Sequence, residues 1–451
     1  MNVVATMPSN RSPDAELARR LAGSAYQGYA YSYPHKTVYA PLTPPRALAD
    51  VWAEESKRVL ELYVHVPFCA MRCGFCNLFT TVNPLGDVVA RMLSQLAVEA
   101  DAAARALGGA HFARIAVGGG TPTFLAADQL DRLFDILSQT LGAAPALVPT
   151  SVEASPDTVT AEKLAVLRRH GVRRVSIGVQ SFIDSEARAL GRPQRRAIVE
   201  QALNLTAAAG FPTRNIDLIY GAPGQTAMSW LASLDAALAW RPDEIFLYPL
   251  YVRPLTGLAR MHSAQDKRLD LYRRGRDHLF AAGFVQINMR CFRRAGVHAA
   301  DHACHHVLTD GTLGLGCGAR SMTSTLHYSS EYAVGRAGVK EIVADYLSRP
   351  LESFGFSHFG VTLSPDDRKR RRILLTLLEA EGLSRGAYRQ SFGTDAIEDM
   401  PQLISLVSAG FAVIDESCIR LTDSGLEYAD VIGPWLYSAE VATRMESYRW
   451  R

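Results

Sequence analysis

Cys69, Cys73 and Cys76 lie in the run Tyr63-Val-His-Val-Pro-Phe-Cys-Ala-Met-Arg-Cys-Gly-Phe-Cys76. The spacing C-x3-C-x2-C is one ligand short of a closed metal site. Structural zinc takes four ligands, and iron–sulfur clusters are normally held by four cysteine thiolates. Three thiolates this close together suit a [4Fe–4S] cluster with one iron left open, and that iron would be the seat of chemistry. On spacing alone, a zinc knuckle or a set of unrelated buried thiols stays open.

Two further patterns carry polar or conformational information. Gly118-Gly-Gly-Thr-Pro-Thr123 would let backbone approach a ligand closely and leave N–H groups exposed; a tight turn would use the same residues. Glu153, Gln180 and Asp217 sit in SVEASP, SIGVQSF and NIDLIYG, each flanked by strand formers. Buried polar side chains need partners. Three of them at successive strand ends could share a ligand, although capping of neighbouring helices is the ordinary alternative.

An α/β framework must position these residues. Strand patterns occur at 61–67, 114–119, 150–155, 174–180, 214–220 and 244–250, with amphipathic helices at 87–106, 128–141, 160–170, 194–209, 226–239 and 265–282. Alternating strands and helices imply parallel pairing with right-handed crossovers. Six units are too few for a closed eight-stranded barrel, so the expectation is an open, partial (β/α)6 TIM-like barrel with its chemistry at the C-terminal strand ends. The cysteines follow directly on the first strand.

The alternation fades after about 290. Residues 313–318, LGLGCG, read as a glycine-rich turn. Residues 365–437 read as helices followed by a short hairpin, a helical, winged-helix-like module. The expected divisions are an N-terminal arm over 1–58, the barrel over 59–290, a connecting segment over 291–362 and a C-terminal domain over 363–451. In the arm, Tyr26, Tyr29, Tyr31 and Tyr33 precede a proline-rich stretch that resists helix. The basic run Arg368, Lys369, Arg370, Arg371 and Arg372 could touch phosphates, but a solvated helix end is the commoner use of such a run.

Composition narrows the class. The chain has 451 residues, 48% hydrophobic and 21% charged, with a formal charge of +3. Near-neutrality gives no reason to expect nucleic acid or an anionic membrane as partner. No apolar window of about 18 residues suggests a membrane span, and the first residues lack the apolar core of a secretory signal. Of seven cysteines, Cys291, Cys304, Cys317 and Cys418 are scattered. That usage fits metal or thiol chemistry in a reducing compartment, with the cytoplasm as the expectation.

The combination of C-x3-C-x2-C, GGGTPT, SVEASP, SIGVQSF and NIDLIYGAPGQT resembles the radical S-adenosylmethionine superfamily, and within it the HemN-like branch of oxygen-independent coproporphyrinogen III oxidases. The resemblance spans roughly 60–435. It implies that Cys69, Cys73 and Cys76 hold a [4Fe–4S] cluster whose fourth iron chelates S-adenosylmethionine, and that reductive cleavage of this cofactor gives a 5′-deoxyadenosyl radical. It assigns Gly118, Gly119, Gly120 and Thr121 to the methionyl end of the cofactor and Glu153, Gln180, Arg192 and Asp217 to the surrounding region. Phe75 would contact adenine, and Tyr63 matches a family tyrosine near the cofactor. Gly316 and Gly318 resemble the segment that holds a second S-adenosylmethionine in some members. A reductant such as flavodoxin or ferredoxin is implied, as is a tetrapyrrole or related conjugated substrate.

The chain also departs from the pattern. Leu78 stands where the coproporphyrinogen oxidases carry a further cysteine, which loosens the tie to decarboxylation. A methyltransferase on a heteroaromatic or haem substrate and a haem-trafficking protein are the alternatives. His298, His302, Cys304, His305 and His306 form a segment with metal-binding residue types; a polar lid or surface loop is the ordinary reading.

Overall fold

A computed structural model of the chain describes residues 12–29, 31–259, 266–297 and 311–451. The His298–His306 segment lies outside them. The described chain divides into two compact units. One comprises the residues up to Pro34, Gln286–Met289 and Pro365–Thr443; the other comprises His35–Val285, Arg290–Ser364 and Arg444–Arg451.

The larger unit is built on a sheet of thirteen described strands. In chain order they are β1 (Ala40–Ala47), β2 (Leu60–Val66), β3 (Phe112–Gly119), β4 (Thr150–Ala154), β5 (Arg174–Gln180), β6 (Thr213–Tyr220), β7 (Glu244–Pro249), β8 (Phe284–Gln286), β9 (Cys291–Arg294), β10 (Thr312–Leu315), β11 (Arg320–Met322), β12 (Leu326–Ser329) and β13 (Phe356–Thr362). Their order across the sheet is β1-β13-β12-β11-β10-β2-β3-β4-β5-β6-β7-β9-β8.

Strands β2 to β7 are the six expected from sequence, all paired in parallel. The connecting helices are α1 (Val88–Leu107), α2 (Ala127–Leu141), α3 (Ala161–Arg169), α4 (Arg196–Ala208), α5 (Ala227–Ala239) and α6 (Arg268–Ala281). Local chemistry sets their ends. Thr160 accepts from the Lys163 N–H at the start of α3, Thr226 and Ser229 form a capping box on α5, and Gly142 closes α2 at φ 66°. Leu130, Leu133, Phe134 and Leu137 of α2 are fully buried and cover the helix-facing side of the sheet. On that side β2 presents Leu62, Val64 and Val66, each at 0% exposure. Burial of such side chains contributes about 1.5–3 kcal/mol each. This is the partial (β/α)6 barrel expected of the chain.

Residues 291–362 extend the sheet at both edges. β9 pairs antiparallel with β7. β10 pairs parallel with β2, matching Gly314 to Tyr63 and Leu315 to Val64, so the glycine-rich segment becomes a seventh parallel strand. β11, β12 and β13 follow as antiparallel neighbours, and β1 closes that edge against β13.

In the smaller unit, the helix Pro365–Leu377 precedes the helices Arg385–Phe392 and Leu403–Ser408 and a three-stranded sheet of Leu383–Ser384, Ala412–Ile414 and Cys418–Leu421. Its basic run is used internally. Lys369 pairs with Asp399 at 2.6 Å, Arg370 with Asp366 at 2.6 Å, and buried Arg371 donates to the Tyr33 carbonyl at 2.7 Å. No helix among the described residues is long and apolar enough to cross a membrane.

Candidate active site

The chain leaves β2 at Val66 and enters the cysteine loop at its C-terminal end. Backbone bonds fix this loop on several sides. The Thr121 N–H donates to the Phe68 carbonyl at 2.8 Å, and the Gly74 N–H donates to the Leu190 carbonyl at 3.1 Å. The Gly74 carbonyl in turn accepts from the Leu258 N–H at 2.9 Å. A Cβ on Gly74 would lie 2.9 Å from the Leu190 carbonyl oxygen, so only glycine lets the loop sit this close. Cys69, Cys73 and Cys76 are free thiols. The Thr121 hydroxyl donates to Cys69 Sγ at 3.6 Å, and the Arg192 guanidinium donates to Cys73 Sγ at 3.3 Å. Arg192 is buried and held by Ser155 at 2.8 Å and Gln194 at 2.8 Å.

The sulfurs are desolvated. Burial pushes the Cys69 thiol up to about 12, against the bond from Thr121. Burial, and then the neighbouring Cys73, raise Cys76. Thiols in such a place ionise when a bound cation supplies the compensating charge. Among the described residues no three His, Cys, Asp or Glu groups converge on one point suited to a single metal ion. A cluster spreads its thiolates over different irons, so three thiols carried on one loop would suit it without meeting at a single point.

Below the loop, side chains of the parallel strands line the inner face of the barrel. Register places Gly118 beside His65, and Glu153 beside Ser176, which is itself beside Asn215. Glu153 is exposed into this interior and accepts from the Gly119 N–H at 3.2 Å. The surrounding barrel, and then the like charge of Asp217, push it up to about 7. Asp217 accepts from Ser176 at 2.9 Å and Asn215 at 2.7 Å, while burial raises its pKa. Gln180 sits at an irregularity in β5 with φ 69°, a left-handed conformation that is strained for a residue with a side chain. Arg174 lies deeper, bonded to Glu244 at 2.9 Å and to Ser151 at 3.1 Å.

The three glycines at the end of β3 each sit at a close approach, tightest against ring and backbone at Gly119 and Gly120. A Cβ on Gly118 would meet the Glu153 carboxylate at 2.8 Å, on Gly119 the His65 ring at 2.5 Å, and on Gly120 the Phe68 carbonyl oxygen at 2.6 Å. The N–H groups of Gly119 and Gly120 are not open, in contrast to expectation. That of Gly119 goes to Glu153, and that of Gly120 goes to the Val66 carbonyl at 2.7 Å. The strand end is stitched to the cysteine loop. Gly120→Ala is therefore expected to cost about 1–3 kcal/mol through backbone crowding and to lower iron incorporation. Gly355→Ala, where a Cβ would have nothing within 4 Å, serves as control. Equal melting temperatures and iron contents for the two variants would refute this role for Gly120.

Tyr63 and His65 form the wall under the loop. The His65 Nε2–H donates to the Phe79 carbonyl at 2.9 Å, which leaves Nδ1 to accept from the Tyr63 hydroxyl at 3.1 Å. Burial holds the His65 pKa down to about 4, against the Phe79 bond and aided by the charges of Lys36 and Arg320. The folded pKa lies below the free value of 6.5, so protonation favours the unfolded chain. This contribution is present above pH 6.5 and is lost as pH falls through that value toward 4. Cluster-free wild-type protein is expected to lose about 3 kcal/mol more than His65→Asn across that window. Parallel urea-denaturation profiles for the two proteins would rule this out.

Gly316 and Gly318 lie against the same wall, with φ 90° and 98°. A Cβ on Gly316 would meet the His65 carbonyl oxygen at 2.6 Å, and one on Gly318 the Phe79 ring at 2.6 Å. The Gly316 N–H donates to Glu99 of α1 at 2.8 Å, and the Tyr346 hydroxyl donates to the same carboxylate oxygen at 2.8 Å. Phe75 packs on the apolar cluster of Leu190, Ile219, Ala222, Leu250 and Leu258, together with Tyr248. In the larger unit Thr121 and Arg192 reach the sulfurs of Cys69 and Cys73, and Glu153 reaches the glycine strand end, while Phe75 and Gln180 lie on the neighbouring apolar cluster and strand end. Gly74, Glu99 and the orienting bonds of His65 were not foreseen. For Gly74 the available signal was its place between two of the cysteines.

The radical SAM superfamily model matches residues 63–237, and the HemN C-terminal domain model matches residues 363–428. The chain belongs to the radical SAM superfamily, in its HemN-like branch. Its cofactors are those of the superfamily, a [4Fe–4S] cluster and S-adenosylmethionine. Among individual proteins, it is 28% identical over 423 residues to the oxygen-independent coproporphyrinogen III oxidase of Escherichia coli (strain K12), covering 89% of this chain and 90% of that one. It is 27% identical over 371 residues to the heme chaperone HemW of Bacillus subtilis (strain 168), covering 80% and 95%. To the heme chaperone HemW of E. coli (strain K12) it is 30% identical over 267 residues, covering 58% and 69%. The solved structure of coproporphyrinogen III oxidase (HemN) from E. coli superimposes with a TM-score of 0.75 at 25% identity, covering 90% of this chain and 96% of that one.

Proposed function

We propose that this chain reductively cleaves S-adenosylmethionine at a [4Fe–4S] cluster held by Cys69, Cys73 and Cys76, and acts on a tetrapyrrole or a related flat conjugated molecule. The observation that carries the reading is the meeting, at one barrel mouth, of three free cysteines, two side chains that donate to their sulfurs, and the inward carboxylates Glu153 and Asp217. When bound, the cluster and its cofactor supply the electron and the hydrogen-abstracting radical; the protein supplies binding, orientation and exclusion of water.

The chain's own residues divide those tasks. Cys69, Cys73 and Cys76 hold three irons. Thr121 and Arg192 donate to two of the sulfurs, which stabilises their negative charge. Glu153 accepts from the Gly119 N–H and stands ready for a second, cationic or hydroxyl donor from S-adenosylmethionine. Because the N–H groups of Gly119 and Gly120 are engaged, the strand end Gly118–Thr121 would meet the methionyl ammonium through acceptors. Phe75 rests on an apolar bed and offers a ring face to adenine. Gln180 and Asp217 line the rest of the cofactor region. Gly316 and Gly318, held by Glu99 and Ser330, back the His65 wall, where a second cofactor position would fall.

The reaction on the substrate separates the oxidase reading from its rivals. Leu78, exposed beside the cysteine loop, cannot supply the thiol found there in the oxidases, which favours a chemistry other than strict decarboxylation of coproporphyrinogen. Anaerobic turnover with S-adenosylmethionine, reductant and either coproporphyrinogen III or haem, read by mass spectrometry, tests this. Carbon dioxide marks decarboxylation. S-adenosylhomocysteine and a substrate heavier by a methyl or methylene group mark transfer. Stable haem binding without substrate-dependent turnover marks trafficking. Intact S-adenosylmethionine with every substrate and a fully loaded cluster would overturn the enzyme reading.

A further inference from the structure

Lys36 begins a one-turn 3-10 helix over Lys36–Val38, in the larger unit. Its ammonium lies 3.7 Å from the centre of the Tyr332 ring. The Tyr332 hydroxyl donates to the Asn77 carbonyl at 3.2 Å, one residue beyond Cys76. The same ring stacks on Tyr448, whose hydroxyl donates to the Tyr332 carbonyl at 3.1 Å. Lys36 is thus seated on a braced aromatic platform beside the cysteine loop.

No carboxylate among the described residues pairs with this ammonium. Burial, and then the positive charge of Arg320, hold its pKa well below the usual lysine range, against an upward pull from Cys76. The same positive field reaches His35, which burial and then Lys36, Arg320 and Arg253 hold far below the usual histidine range. Arg253 lies over the Tyr251 ring at 4.8 Å and forms no ion pair among the described residues. A desolvated ammonium without an acid costs stability in a folded protein. An anion arriving at the site would stabilise the ammonium and gain a charge-assisted bond. The neighbourhood is also apolar at its surface: Leu78 follows Asn77, and Val252 and Leu255 flank Arg253, all three exposed.

We infer that Lys36, with Arg253 and Arg320, receives a carboxylate of the substrate next to the cluster loop, so that the ligand is an amphiphilic acid with an apolar body. This rests on the tetrapyrrole-class reading of the same site and adds how the molecule is oriented: an acid side chain is anchored at Lys36 while the ring system lies toward the cysteines. The Tyr332 platform limits where the ammonium can move, which makes Lys36 a specificity-determining group.

Fluorescence quenching on the anaerobically reconstituted full chain tests this, with coproporphyrin III and its tetramethyl ester as probes in one detergent-containing buffer. The wild type is expected to bind the acid roughly 10-fold or more tightly than the ester, as one or more charge-assisted bonds require. Lys36→Met removes that preference while ester binding and iron content stay unchanged; Lys36→Arg retains most of it. Arg253→Gln, at a partly accessible position, weakens acid binding several-fold. Equal binding of acid and ester by the wild type overturns the carboxylate anchor and leaves the tetrapyrrole reading standing. Binding of neither probe overturns both. A Lys36→Met variant that binds both probes as the wild type does, but shows a shifted cluster reduction potential, makes Lys36 a counter-charge to the cluster and overturns the inference.

Discussion

Cys73→Ala is expected to abolish cluster assembly and with it all cleavage of S-adenosylmethionine. Cys73 is the buried member of the trio, at 8% exposure, and its sulfur accepts from Arg192 at 3.3 Å. Removing the sulfur leaves a buried guanidinium donor facing an alanine. A cluster with two protein thiolates instead of three has two open irons. Iron and sulfide content, together with the broad visible absorbance of the reconstituted protein, read the result. Cys418→Ala is the matched control, because the Cys418 thiol donates to the Glu381 carbonyl at 3.2 Å within the smaller unit. A Cys73→Ala protein with wild-type iron content and turnover would remove Cys73 from the ligand set.

Glu244→Ala is expected to have the largest effect on stability. Glu244 is fully buried and takes Arg174 at 2.9 Å and Arg293 at 3.2 Å. Arg174 is on β5 and Glu244 on β7, so their bond bridges over β6, while Arg293 comes from antiparallel β9 directly opposite Glu244. Loss of the carboxylate leaves two buried guanidinium groups without their shared anion. Breaking a buried pair in this way costs about 3–5 kcal/mol. The urea midpoint of cluster-free protein measures it. A loss below about 1 kcal/mol, the level of an exposed pair, would show that the barrel floor does not depend on this network.

Much of this architecture was legible because its signals are local. The six parallel strands announce themselves as short β-branched runs between amphipathic helices, and Leu130, Leu133, Phe134 and Leu137 show the helical spacing that buries them. The cysteines are legible because metal ligation constrains spacing within one loop. What escaped depends on contacts between residues far apart in the chain. Residues 312–315 contain glycine and carry little intrinsic strand preference, yet pairing with Glu61–Val64 makes them the seventh parallel strand. Glu99 looks like an ordinary polar position on α1 until Gly316 and Tyr346 meet it. The basic run at 368–372 is ambiguous in sequence for the same reason: Lys369 and Arg371 find Asp399 and the Tyr33 carbonyl only once the smaller unit has folded. The N–H groups of Gly119 and Gly120 were expected to be open, and the fold uses them to tie the glycine strand to Glu153 and Val66 instead.

On the proposed reading, three cysteines hold the cluster and leave one iron for S-adenosylmethionine. Electron paramagnetic resonance of the anaerobically reduced protein, recorded before and after addition of S-adenosylmethionine, tests this most directly. The expected result is a [4Fe–4S] signal whose g-values shift when the cofactor binds; an unshifted signal at saturating cofactor would contradict it.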